Sequence, residues 1–170
     1  MIENHPYSPF VPADSTVLIL GSFPGLHQTR GLNSFEEWFY SAKRNKFWTI
    51  LENVYSIRLE TIADKKKLLT TKGIAITDII SKAIRKQESN LDQHLEIKEY
   101  NTQAIKNIIT NGTVKKVFFT SQYVEKHFLK LFPGYISCEC LPSPSPRSAR
   151  ISFENKIIIY KQKLPNYDNR

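Results

Sequence analysis

Val17-Leu18-Ile19-Leu20-Gly21-Ser22-Phe23-Pro24-Gly25 is the stretch from which the fold is read. An apolar run leads straight into a loop holding two glycines and a proline. A continuous apolar run bounded by turn residues reads as a strand buried on both faces, the kind found in parallel sheets. Such sheets gather ligands beyond the carboxyl ends of their strands. Glycine lets backbone approach a ligand closely, and proline fixes the loop's geometry. The stretch is read as the first core strand with a site-lining loop; the plainer reading is an ordinary tight turn.

The rest of the chain alternates around it. Residues 1–15, with Pro6, Pro9 and Pro12, read as an irregular arm before a strand over 16–20. Residues 26–44 form a long excursion containing Gly31, with a short helix permitted over 34–38. A connection of that length is functional or disordered, and Phe35, Trp38, Phe39 and Tyr40 argue against disorder. Phe47, Ile50, Leu51 and Val54 recur at helical spacing, which predicts a helix over 46–57 with Asn45 available as its N-cap. A second helix is expected over 61–71, capped by Thr61 and stopped at Gly73. Ile74-Ala75-Ile76 reads as a short buried strand with Thr77 and Asp78 at its carboxyl end. The polar residues 81–98 read as loop or short helical turns.

A third helix follows over 99–110, ended by Asn111-Gly112. Val114 and Val117-Phe118-Phe119 mark a strand, Thr120 or Ser121 caps a helix over 122–131, and Tyr135–Leu141 is the last strand. Pro142-Ser143-Pro144-Ser145-Pro146 excludes regular structure. The end is ambiguous: Ile157–Tyr160 reads as a strand, while Ser152 permits a terminal helix. The sum is an α/β fold, a three-layer αβα sandwich on a central, largely parallel four-stranded sheet with right-handed crossovers. Residues 1–170 are expected to form one domain.

A formal charge of +8 favours a polyanionic partner, nucleic acid first and an anionic membrane second. No stretch approaches the roughly 18 apolar residues of a membrane helix. Nor does the start have the charged-then-apolar order of a secretory signal, so a soluble, intracellular protein is expected; it is further expected to be a cytoplasmic monomer. Cys138 and Cys140, one residue apart, would share a strand face and stay reduced, with no histidine nearby in sequence to complete a zinc set.

Three stretches carry chemistry. Gly21–Gly25 lacks the length and the Lys-Ser/Thr end of a phosphate-binding loop, and Ser22 directly follows Gly21, unlike a nucleophile elbow. A serine nucleophile needs a histidine, and none of His5, His27, His94 and His127 follows a predicted strand so as to supply one. Phe23 suits stacking on an aromatic ligand or a core role. The second stretch runs from Phe39 to Trp48: Lys43, Arg44 and Lys46 suit phosphates, and Tyr40 or Phe39 suits a base. Asn45 suits a water or a base edge, or only caps a helix; Phe47 and Trp48 read as core. The third stretch, Leu141 to Arg150, is rigid and hydroxyl-rich. Ser143, Ser145 and Ser148 with exposed backbone N–H groups, and Arg147 and Arg150, suit phosphate contacts, and its rigidity suits wedging into a groove. Asp78 can polarise a water or cap a turn.

Taken in order, Gly21-Ser22-Phe23-Pro24-Gly25, Asn45-Lys46-Phe47-Trp48 and Leu141-Pro142-Ser143-Pro144-Ser145-Pro146 resemble the uracil-DNA glycosylase superfamily. Within it they are most similar to the hypoxanthine-DNA glycosylase branch, neighbour to the mismatch-specific uracil/thymine glycosylases. Gly73–Asp78 resembles that family's Gly-Ile-x-x-x-Asp strand, and Asn90-Leu91-Asp92 and Asn101 fall where the branch often has Ser-Leu-Asp and a helix asparagine. The resemblance covers about residues 16–163.

It implies a monofunctional glycosylase that flips a deaminated or mismatched base from double-stranded DNA and hydrolyses its N-glycosidic bond, with no metal or cofactor. Asn45 would hold the attacking water, aided by Asp78. Gly21, Ser22, Phe23, Pro24 and Gly25 would form the first motif, and their backbone N–H groups or a hydroxyl near Thr120 would steady charge on the leaving base. Tyr40 would stack under the base, Thr120 and Ser121 would stand where the branch has a base-reading Asn-Gly, and Leu141–Ala149 would enter the minor groove. The chain departs from the branch at Ala42-Lys43-Arg44 in place of a residue pair His-Pro, at Thr120-Ser121, and at Arg147-Ser148 in place of Ala-Asn. A hydroxyl cannot make an amide's bidentate base contact. The alternatives are a non-catalytic nucleic-acid or nucleotide-binding module, and a small-molecule hydrolase with a histidine near Ser22.

Overall fold

The computed structural model describes residues 1–31, 37–135 and 137–167. In chain order its elements are β1 (Ile2–Asn4), β2 (Val17–Gly21), α1 (Leu26–Thr29), α2 (Phe47–Tyr55), α3 (Ile62–Thr71), β3 (Ile74–Asp78), β4 (Ile80–Arg85), β5 (Leu95–Tyr100), α4 (Thr102–Asn111), β6 (Lys116–Phe119), α5 (Gln122–Leu131), β7 (Cys138–Cys140) and α6 (Phe153–Lys163). A four-stranded sheet ordered β3-β2-β6-β7 is parallel throughout. Val17 and Ile19 pack with α2, α3 and α6 residues such as Leu51, Leu69 and Tyr160; Leu18 and Leu20 pack on the other face with Ile105, Val124 and Phe128. Both faces are apolar and covered, so the strands read as unbroken hydrophobic runs. This is the expected α/β architecture.

Local chemistry sets the boundaries. Thr61 Oγ1 accepts from Asp64 N while Asp64 accepts from Thr61 N, a capping box at the start of α3. Gly73 ends that helix's connection with a φ of 62°, which suits glycine. Ser121 and Ser152 accept from Val124 N and Asn155 N, which starts α5 and α6. The ambiguous terminal segment is thus a helix, with Tyr160 buried against α2. Cys138 and Cys140 lie on β7 as free thiols.

Two expectations fail. Residues 81–98 are loop and a short helical turn only over 86–94: β4 and β5 on either side pair antiparallel, and β1, in the arm expected to be irregular, pairs with β4. The second sheet, ordered β1-β4-β5, packs Ala83 and Leu95 onto the Leu18/Leu20 side of the core. Phe10 makes a further bridge to Ile76. In consequence the third helix starts at Thr102, because Glu99 and Tyr100 belong to β5. The short helix permitted over 34–38, and Phe35 with it, fall at least partly outside the described residues, as does Ile136 of the expected last strand.

The β1–β4 pairing buries charge. Arg85 Nε donates to Glu3 Oε2 at 3.1 Å, with Glu3 4% and Arg85 9% exposed. Burial opposes ionisation of Glu3, but the bonds from Thr29, Arg85 and Arg30 outweigh it and hold its carboxyl below the ordinary value. Removing one partner of a buried pair leaves the other charge uncompensated. Glu3→Gln is therefore expected to lower stability by about 3 kcal/mol at neutral pH. A depressed carboxylate stabilises above its unfolded pKa and stops doing so as pH falls through its folded one. In urea titrations the gap between the parent and the variant should accordingly narrow as pH drops below about 4.5; a gap that is pH-independent down to acid unfolding would contradict this.

Candidate functional site

The parallel register brings three strand ends level. Gly21 pairs with Asp78, Leu20 pairs with Phe119, and Thr120 N donates to Leu20 O at 3.2 Å. Gly21 matters here for its missing side chain: a Cβ would lie 2.2 Å from Asp78 Oδ1 and 2.4 Å from Tyr40 Oη. Tyr40 reaches this point from the excursion after α1 with a φ of 57°, a left-handed conformation costly for a bulky residue. Two contacts hold it there. Its ring stacks on Phe47 at 4.2 Å, and its hydroxyl is 3.2 Å from Thr120 Oγ1. Burial, and then the charge of Asp78, keep the phenol well above its ordinary range, so it stays a neutral hydroxyl.

These ends open into a cavity of about 360 Å³, within the range of small-molecule sites. Ser22, Phe23, Pro24 and Gly25 line it, as do Tyr40, Arg44, Asn45, Asp78, Thr120, Ser121, Ser143, Ser145 and Arg147. Gly21 lies against it through Asp78 and Tyr40. Lys43, Lys46, Ser148 and Arg150 do not line it; Lys43, Lys46 and Arg150 are exposed beside it in sequence, and Ser148 O accepts from the buried Lys156 ammonium at 2.6 Å.

One backbone bond joins the second and third stretches: Lys46 N donates to Pro144 O at 3.0 Å. Asn45 Oδ1 accepts from Phe47 N at 2.8 Å. The residue thus serves the start of α2, although Lys46 stands at the helix boundary. That bond fixes the amide's orientation and leaves Nδ2 as the group available to the cavity. The third stretch is self-supported. Ser143 Oγ accepts from Ser145 N, Ser145 Oγ from Arg147 N, and Ser145 O from Ser148 N. Those N–H groups are therefore not exposed donors, as the sequence suggested; the hydroxyl protons of Ser143 and Ser145 are what the loop can offer. Similarly, Gly25 N donates to Gln28 Oε1 and Pro24 has no N–H, so within that loop only Ser22 and Phe23 keep backbone donors for the cavity.

Several residues in the wall and directly behind it were not anticipated from local pattern. His5 Nδ1 accepts from Tyr7 N at 3.1 Å, so Nε2 carries the proton and donates to Asp78 Oδ2 at 2.8 Å. Ser22 Oγ donates to Asp92 Oδ1 at 2.7 Å. Among the described residues, the serine–histidine contact that a small-molecule hydrolase would need is absent, since both partners are bonded elsewhere. Burial raises the Asp92 carboxyl; the Ser22 bond opposes this, the Asp78 charge adds to it, and Arg85 opposes it again. Arg85 NH2 donates to Pro24 O at 3.0 Å, Asn90 Oδ1 accepts from Leu26 N, and Gln28 Nε2 donates to Ser41 Oγ, which ties the glycine loop to the Tyr40 turn. For Arg85 the available signal was the apolar–polar alternation of Leu95-Glu96-Ile97-Lys98, the mark of a half-buried strand beside it; no local signal points to His5.

Among the described residues, no group of three or more histidine, cysteine, aspartate or glutamate side chains is placed to hold a metal ion. What the cavity offers is two carboxylates, a neutral phenol, the hydroxyls of Thr120, Ser121, Ser143 and Ser145, an amide donor and the Phe23 ring, beneath a rim bearing Arg44 and Arg147. No helix among them is long and apolar enough to cross a membrane.

A search of curated proteins finds no match to this sequence. Among solved structures, a solution NMR structure from Methanosarcina acetivorans, described as "a putative Uracil DNA glycosylase", matches with a TM-score of 0.69 at 20% identity, covering 95% of this chain and 98% of that one. That likeness concerns the fold. The sequence profile described as "Uracil DNA glycosylase superfamily" matches residues 8–162, from the proline-rich arm to within α6, a span that holds every residue lining the cavity; β1 and His5, which lie behind the wall, precede it. On that match the chain belongs to the uracil DNA glycosylase superfamily.

Proposed function

We propose that the protein is a monofunctional DNA glycosylase of the hypoxanthine-DNA glycosylase kind, acting in the cytoplasm on a deaminated or mismatched base in duplex DNA. The observation that carries this reading is the meeting of Asp78, Asn45, Tyr40 and the Ser143–Arg147 loop around one cavity.

In this reading Lys43, Arg44, Lys46, Arg147 and Arg150 meet phosphates, and the proline loop enters the minor groove. Its internal bonds and the Lys46–Pro144 bond lower the entropy lost on docking. The target nucleotide swings out of the stack into the cavity, where its base lies on Tyr40, braced from beneath by Phe47. Asp78 accepts a hydrogen bond from a water, and Asn45 Nδ2 donates to the same oxygen. The water oxygen forms its bond to C1′ as the N-glycosidic bond breaks. The bonding pair leaves with the base, where Thr120 and the Ser22 and Phe23 amides meet the developing charge, and the water's proton passes to Asp78. His5 is a positioning residue: its Nε2–H holds Asp78 Oδ2 and so leaves Oδ1 for the water.

In single-turnover assays on duplexes carrying hypoxanthine, uracil, xanthine or a G·T mismatch, Asn45→Ala and Asp78→Asn should each slow release roughly 100-fold or more. Asn45→Ala also loses the bond to Phe47 N, a cost of about 1 kcal/mol. Asn45→Ser keeps an acceptor there and should recover stability without recovering rate. Tight binding with no release of any lesion would favour the non-catalytic module instead. Arg147→Ala should weaken binding to all duplexes alike and reduce the salt slope by about one, with base preference unchanged; parent-like affinity at both low and moderate salt would count against the phosphate contact.

A further inference from the structure

The hydrolytic step uses Asp78 and leaves a second carboxylate in the cavity wall without a task. Asp92 lies just ahead of β5 in a short turn, and its Oδ1 accepts the Ser22 hydroxyl. Among the described residues Oδ2 has no hydrogen-bond partner, and Asp92 has no ion pair. Arg85, the buried cation nearby, is committed to Glu3, Ser89 O and Pro24 O. Ser22 fixes the carboxylate in place at the loop that begins the cavity. The wall thus presents a positioned, half-buried acceptor that lacks a donor, where a bound ligand can supply one.

We infer that Asp92 is a specificity residue that accepts the ring N–H of an everted lactam base; this rests on the proposal that the cavity takes such a base. In adenine and cytosine the ring nitrogen beside the exocyclic amine is an acceptor. Deamination replaces the amine with a carbonyl and puts a proton on that nitrogen, so hypoxanthine N1 and uracil N3 become donors. A carboxylate bonds the donor and repels the lone pair. One acceptor therefore detects deamination in a purine and a pyrimidine alike. Thr120 and Ser121 provide hydroxyls in the same wall, and a hydroxyl suits the adjoining carbonyl.

The test is equilibrium binding of the full chain to duplexes carrying 2′-fluoro nucleosides, which resist glycosidic cleavage: 2′-fluoroinosine, its N1-methyl derivative and 2′-fluoroadenosine. The parent protein should bind the inosine duplex about tenfold more tightly than either of the others, the effect of one hydrogen bond to a charged acceptor. Asp92→Asn, nearly isosteric and still able to accept from Ser22, should bring the three within about threefold. Equal parent affinity for inosine and N1-methylinosine, or an Asp92→Asn variant with the parent's preference, overturns the inference; the first arm needs no variant to fold. Base release from the ordinary deoxyinosine duplex is measured alongside. Release together with an unchanged preference in Asp92→Asn defeats this inference alone. An Asp92-dependent preference without release sustains it and defeats the hydrolytic reading.

Discussion

At Gly21 the central strand passes so close to Asp78 Oδ1 and Tyr40 Oη that any side chain would occupy their space. This constraint organises the site. It lets a carboxylate from β3, a phenol from the excursion after α1 and a hydroxyl following β6 converge on one point. Tyr40 adopts its left-handed backbone to reach that point, and stacking on Phe47 together with the Thr120 contact offsets the strain. Because Phe47 begins α2, the same stack ties the phenol to the helix whose start holds Asn45, and Lys46 N ties that start to Pro144 of the last loop.

A second tier of contacts holds the first from behind. The short strand β1 sends Glu3 to Arg85 and, just past its end, His5 to Asp78. Arg85 in turn grips Pro24 O. The antiparallel sheet thereby fixes both the glycine loop and the carboxylate at the strand end, and it does so with buried charges whose geometry is specified by several bonds at once. Buried ion pairs contribute little net stability compared with apolar packing; here their consequence is that two segments distant in sequence are held at hydrogen-bonding distance from the cavity wall.

The parallel core was legible because its strands are apolar on both faces: Val17–Leu20, Ile74–Ile76 and Val117–Phe119 carry the signal without tertiary information. Helix starts at Thr61 and Ser121 were legible from their side chains. The second sheet was not, because one of its faces is wet and its inward positions include Arg85, which reads as a solvent-facing residue until Glu3 is seen beside it. Of the candidate site, the loop residues, Tyr40, Asn45 and Asp78 could be named from motif order. His5 could not, since its partner is 73 residues away. Nor could the sequence reveal that Asn45 Oδ1 serves Phe47 N, or that the third stretch uses its own amides; both depend on turns whose geometry is set by packing.

The central claim is that this cavity receives an everted nucleobase. A crystal structure of the protein bound to a duplex with a single uncleavable 2′-fluoro lesion nucleoside tests it most directly. The account predicts the base seated on Tyr40 between Asp78 and Thr120, with the 142–147 loop in the minor groove. A base that stays stacked in the duplex, or DNA bound on another face with the cavity empty, would contradict it.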